Sequence, residues 1–275
     1  MRTTISALTT VAAAAVLAVV TVFIPNLPKL TGPLVISVLV ALFAVAWPML
    51  VSTSPRWGVS AGLGAVGLAA VWTVALLPAG TTFSSQAGEL WLAPVGGAAA
   101  LGMLIIFVIQ TFTLPGGVKR FLTTAMLGAG AVIAASAGGW TMLFRHKYEA
   151  AHGALEVERI SGVTWLMLTI LTALAVAALA TLLPIRRRNR ITVTIIGATV
   201  VAVALQFIRP GVLSVPAVIA SALAALLVGL ADSFSDTQET SAVALRHPLT
   251  AVAVGSGSTI VTGMVSYFVI HVLPW

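Results

Sequence analysis

Residues 5–24 read ISALTTVAAAAVLAVVTVFI, twenty positions without a charge, broken only by the hydroxyls of Ser6, Thr9, Thr10 and Thr21. Twenty helical residues rise about 30 Å, the thickness of a bilayer's hydrocarbon core. A cleaved signal peptide has a shorter apolar run, of roughly 7–15 residues, followed by a small-residue cleavage site. Here the run is longer and meets the turn Pro25-Asn26-Leu27-Pro28 instead. The stretch therefore predicts a retained membrane helix.

The pattern recurs along the chain. Apolar stretches run over 5–25, 33–51, 57–78, 90–113, 121–144, 161–184, 191–208, 212–231 and 249–273. Pro and Gly punctuate them at Ser54-Pro55, Pro115-Gly116-Gly117 and Arg209-Pro210-Gly211, where they stop helices and turn the chain. The expected fold is an all-α, polytopic transmembrane helix bundle of about nine spans, with eight and ten as alternatives. The uncertain place is Arg209-Pro210. Segments 191–208 and 212–231 form a tight hairpin, one long kinked element, or a re-entrant segment buried in protein. Little chain is left over, so residues 1–275 are expected to form one integral membrane domain.

Composition agrees. Hydrophobic residues make up 59% of the 275 and charged residues 8%, with a mean hydropathy of +1.10. A soluble domain carries roughly 25% charged residues. A soluble enzyme and a nucleic-acid-binding domain are excluded. The net charge of +7 is an excess of base spread over short loops. With no cysteine, disulfides, thiolate metal sites and cysteine nucleophiles are absent. Eleven arginines against three lysines, with abundant Ala, Val and Gly, suggest a GC-rich bacterial genome.

Charge also sets the expected orientation. With the N-terminus in the cytoplasm, inside loops hold Arg2, Arg56, Lys119, Arg120, Arg186, Arg187, Arg188, Arg190 and Arg246, nine bases. Outside loops hold Lys29, Arg145, Lys147, Arg159 and Arg209, five bases. The positive-inside rule then favours a cytoplasmic N-terminus and an outer C-terminus. Trp57, Trp91, Trp140, Trp165 and Trp275 lie near span ends, as interfacial anchors do. Leu68–Pro78 and Leu174–Pro184 both close on Leu-Leu-Pro, a similarity carried mostly by composition.

No Asp, Glu, Lys or Arg falls clearly inside any predicted span. Buried ionisable groups mark proton relays, ion sites and catalysis in membranes, so their absence argues against a carboxylate-driven antiporter or an intramembrane aspartyl protease. The polar groups left are neutral. Gln110 and Gln206 are expected to make interhelical hydrogen bonds or to line a transport path. The run Gly255-Ser256-Gly257-Ser258-Thr259 reads first as close helix packing. Its functional reading is a locally unwound helix meeting a substrate, as in broken-helix transporters.

Two loops offer chemistry. Arg145–Ile160 is expected outside, with His146, Glu149, His152 and Glu156 as contact candidates. Glu149 and His152 are spaced i,i+3, as in metal–carboxylate sites, but those need two copies, so no metal is assigned. The inner run Arg186-Arg187-Arg188-Asn189-Arg190 suits anionic headgroups, each base contributing about 1 kcal/mol near the surface. No Walker A, Rossmann or HExxH motif is present, so no nucleotide hydrolysis and no cofactor are expected.

Three functions fit. The first is a small permease- or flippase-like transport protein of a bacterial inner membrane. The second is a non-catalytic subunit of a larger membrane complex. The third is a membrane enzyme on lipid-linked substrates, which would have to use His146, Glu149, His152 or Glu156. The expected partners are membrane lipids and another membrane protein, not nucleic acid. Substrate, direction and energy source are not written in the sequence.

Overall fold

The computed structural model describes residues 2–23, 27–51, 56–76, 92–113, 118–152, 157–208, 214–237 and 248–272. Among these residues every regular element is an α-helix. In chain order they are α1 (Arg2–Phe23), α2 (Thr31–Val51), α3 (Arg56–Leu76), α4 (Leu92–Thr113) and α5 (Val118–Ala135). Then come α6 (Ala137–His152), α7 (Val157–Ala180), α8 (Arg187–Ile208), α9 (Val215–Thr237) and α10 (Pro248–Val272). Among the described residues nine segments are long and apolar enough to cross a membrane, and α5 with α6 forms one of them, Phe121–Tyr148. The chain is a polytopic transmembrane helix bundle.

Local chemistry explains the two irregular places. Between α5 and α6 the Ser136 amide divides its hydrogen bond between the carbonyls of Val132 and Ile133, at 3.0 and 3.1 Å. Its hydroxyl also donates back to the Val132 carbonyl, at 2.8 Å. Such serine back-bonding favours a bend, and Ser136 is a single turn residue between α5 and α6 that does not end the span. At the start of α9, the Ser214 carbonyl accepts the amides of Ala217 and Val218. Pro216 falls in the first turn, where a missing N–H costs nothing. Segments 189–208 and 215–233 are therefore two separate spans packed side by side, which disposes of the single kinked element and of the re-entrant segment.

Helix α10 is the centre. It packs against α1 and α9 on one side and against α2 and α6 on the other. Helices α2, α3, α4 and α5–α6 form one group, and α1, α7, α8 and α9 form a second. Helix α1 thus packs mainly on α7 and α10 rather than on its chain neighbour α2.

Close approach is set by glycine. A Cβ on Gly139 of α6 would lie 2.6 Å from the Met264 backbone nitrogen of α10. Backbone cannot yield there. Across the same contact the Trp140 indole occupies the space beside Gly263. In lipid the hydrophobic effect does not drive helices together, and small residues let dispersion do so.

Gly128 of α5, by contrast, faces open space. Gly139→Ala should therefore lower stability by about 1–3 kcal/mol, whereas Gly128→Ala should be neutral or raise it by up to about 1 kcal/mol. Thermal unfolding of the two variants in one detergent checks this; equal midpoints would mean that the α6–α10 contact is not the tight one.

Candidate functional site

The Gly-Ser run that stood out in the sequence lies in an unbroken helix. Ser256 donates to the Val252 carbonyl at 2.6 Å, Ser258 to Gly255 at 3.0 Å, and Thr259 to Gly255 at 3.0 Å. Thr262 and Ser266 continue the pattern, donating to Ser258 and Thr262. Each hydroxyl satisfies itself on its own helix, so the alternative reading of a locally unwound helix does not hold, and close packing does. Gly255 faces α1, where an added Cβ would lie 2.6 Å from the Ser6 carbonyl. Gly257 faces Phe43 of α2, where an added Cβ would lie 3.1 Å from the ring. Trp140 of α6 donates its indole N–H to the Thr259 carbonyl at 2.7 Å. Trp140 is thus fully buried glue and not an interfacial anchor.

The two glutamines part company. Gln206 of α8 donates to the Thr169 hydroxyl of α7 at 3.2 Å and accepts the Ser214 amide at 3.4 Å. It ties α7 and α8 to the entry of α9. Gln110 of α4 is 1% exposed, and neither its amide nitrogen nor its carbonyl oxygen has a partner.

The sequence places Arg145–Ile160 in an outer loop, and the structure corrects this. Residues 145–152 continue α6 and residues 157–160 open α7. The helix runs on because α2, α3 and α10 cover it. The side chain of His146 is half-buried and engaged in an interaction. The side chains of Glu149 and His152, and all of Glu156, lie outside the described residues.

The expectation of charge-free spans is also corrected. Arg145 and Lys147 sit within the fifth span, and Asp232 within the eighth, and all three are buried. Each charge has a different environment. The Arg145 guanidinium donates to the Val74 carbonyl at 2.7 Å. Val74 is in the last turn of α3, where carbonyls lack helical partners and the helix dipole is negative. Arg145 therefore caps α3. Asp232 pairs with Arg190 at 2.8 Å, joining α9 to α8. Arg190 is thus paired with a carboxylate. Arg186 is exposed, as a headgroup contact requires, and the side chains of Arg187 and Arg188 lie outside the described residues.

Lys147 is the exception. It is 1% exposed, and no hydrogen bond or ion pair reaches it from the described residues. It follows Trp140 by seven residues on α6, so it shares the face that Trp140 turns toward α10. Only that period hints at it in the sequence: 140, 143, 144 and 147 repeat as one helical face beyond the end of the apolar run.

At the opposite end of the bundle α1, α7, α9 and α10 enclose a cavity of about 10 Å³. Ser6, Thr10, Thr181, Asp232 and Ser258 line it with small apolar residues between them. Its size suits a single water or ion. Among the described residues no group of three or more His, Asp or Glu side chains is placed to hold a metal.

Comparison with known proteins finds no matching family model, no similar curated protein and no similar solved structure.

The glutamines give a direct test. Gln110→Met should raise stability by about 1–3 kcal/mol, because it removes two buried unmet polar atoms. Gln206→Leu should lower it by about 1 kcal/mol, because Thr169 and Ser214 lose their partner. Chemical unfolding in mixed micelles reads both; a loss in Gln110→Met would show that Gln110 is structurally paired.

Proposed function

We propose that this chain is a small transport protein of a bacterial inner membrane, permease- or flippase-like, that handles a solute or lipid bearing an anionic group. The observation that carries the reading is Lys147. A buried ammonium in a membrane span is costly, and such residues cluster on substrate and ion pathways. Arg145 and Asp232 have structural partners in Val74 and Arg190. Lys147 has none among the described residues, so its retention is explained by a ligand whose negative charge offsets its own.

The orientation that accompanies this reading puts the N-terminus in the cytoplasm. Arg186 and the start of α8 then face the anionic inner leaflet, and Lys147 lies toward the outer end of α6. No nucleotide hydrolysis is assigned, since the sequence carries no Walker motif. Energy would come from a partner subunit or an ion gradient.

A second reading, an accessory subunit, draws on α4. Its core segment is only 22% buried, and Leu101, Leu104, Phe107 and Phe112 project outward. In the transport reading that face meets lipid; in the subunit reading it meets a partner helix.

Lys147→Met decides between them. Removing an unpaired buried charge while keeping volume should leave stability equal or higher. In proteoliposomes the same change should abolish uptake of small anionic solutes, or movement of fluorescent anionic lipids, by at least about tenfold, the loss expected of about 1.4 kcal/mol or more of lost binding. Unchanged transport by Lys147→Met would overturn the assignment of Lys147. A purified chain that transports nothing and comes out of native membranes with a stoichiometric partner would establish the subunit reading.

A further inference from the structure

The cavity between α1, α7, α9 and α10 carries an inference that goes beyond the transport reading and does not depend on it. What distinguishes this cavity is the balance of donors and acceptors on its wall. Thr10 gives its proton to the carbonyl of Ser6 or Gly255, at 3.1 or 3.3 Å. Thr181 gives its proton to Ala178 at 2.7 Å, and Ser258 gives its proton to Gly255 at 3.0 Å. A hydroxyl has one proton and two lone pairs. With the protons spent on backbone carbonyls, these three side chains have only oxygen lone pairs left to offer. The Ser6 hydroxyl and the Asp232 carboxylate add two more oxygen groups to the lining.

A water there has two protons to donate and few donors to receive from. A hard cation uses every one of these groups as a ligand, since such ions take hydroxyl, carbonyl and carboxylate oxygens. Charge then selects the valence. Arg190 already holds Asp232 at 2.8 Å, so the site has no surplus negative charge with which to keep a divalent ion. Four helices supply the groups, and their small neighbours Ala7, Ala178 and Ala231 leave space for one ion and no more.

We propose that this cavity is a binding site for a monovalent cation of sodium size, held by the hydroxyl oxygens of Thr10, Thr181 and Ser258 and by Asp232. Arg190 and the ion share the carboxylate, so each weakens the hold of the other. The site joins α1, α7 and α9 to the central helix α10, and filling it tightens one whole group of helices against α10.

The test is thermal unfolding of the purified full chain in detergent, in sodium, lithium, potassium or choline chloride at equal ionic strength. Sodium should raise the midpoint over choline by roughly 2–5 °C, as expected for a ligand near tenfold over its dissociation constant. Thr181→Val and Ser258→Ala each remove an oxygen whose proton is bonded only within its own helix, so both variants should fold and should lose the sodium shift. Thr111→Val, at an exposed position with the same kind of back-bond, should keep it. Arg190→Gln should be less stable in choline yet gain a larger sodium shift, because the Arg190 guanidinium no longer competes with the ion for the Asp232 carboxylate; a purely structural ion pair would not give that pattern. Equal midpoints in all four salts would mean that the cavity holds water only and would overturn the proposal. A sodium shift that survives in both Thr181→Val and Ser258→Ala would overturn it as well, by placing the ion elsewhere. Because binding is read without transport, a failure here is distinct from a failure of the Lys147 assignment.

Discussion

The backbone contact between Gly139 of α6 and residues 263–264 of α10 is the constraint on which the bundle depends. In lipid the tails are as apolar as any leucine, so burying apolar surface between helices gains little. Dispersion and hydrogen bonds must hold the helices, and both require short distances. Glycine supplies the distance, and Trp140 fills the remaining space while donating to the Thr259 carbonyl. The same helix then repeats the device on its other faces. Gly255 admits α1 and Gly257 admits Phe43 of α2. A central helix this rich in glycine and serine is helical throughout, and its hydroxyls bond back to carbonyls of the same helix.

Much of the architecture is legible in the sequence for one reason: a bilayer imposes a length and an apolarity that a window of residues can measure. That is why the nine spans are read with ends within a few residues for most of them. Where a span ends in charged residues the window misleads. The apolar run of the fifth span stops near Phe144, and Arg145-His146-Lys147 reads as a loop. Helix α6 nonetheless continues, with Arg145 bonded to the Val74 carbonyl of α3 and Lys147 buried, and no local pattern reports that cover. The Asp232–Arg190 pair is hidden for a related reason. Its partners are 42 positions apart, each at a span end where charge is ordinary. The Gly-Ser run of α10 was legible as close packing, but which helix each glycine meets was not, since α1 joins α10 and α7 instead of α2.

The three buried charges separate structural from functional roles more sharply than position does. Arg145 answers carbonyls left open at the end of α3, so its charge is part of the fold. Asp232 and Arg190 answer one another, and a pair of that kind is held in place by the cost of losing either member. Lys147 answers nothing described. Gln110 belongs with it in kind: a buried amide without partners among the described residues, on one of the two least buried spans. Polar groups retained against their own burial cost, with no structural return, are where a physical search for function begins.

The arrangement about α10 links these places. Lys147 shares the face of α6 that packs on α10, while Ser258 of α10 lines the cavity at the other end. The two groups of four spans contact one another chiefly through α10, so any displacement of one group against the other is a displacement across this helix. The side built on Gly139 and Gly263 is backbone against backbone and resists sliding. The side built on α1 and α9 approaches as closely at Gly255, where an added Cβ would lie 2.6 Å from the Ser6 carbonyl, and beside it lies the small cavity lined by hydroxyls and one carboxylate. Whatever fills the cavity at Asp232 therefore acts on the same helix that the Trp140 face of α6 packs against.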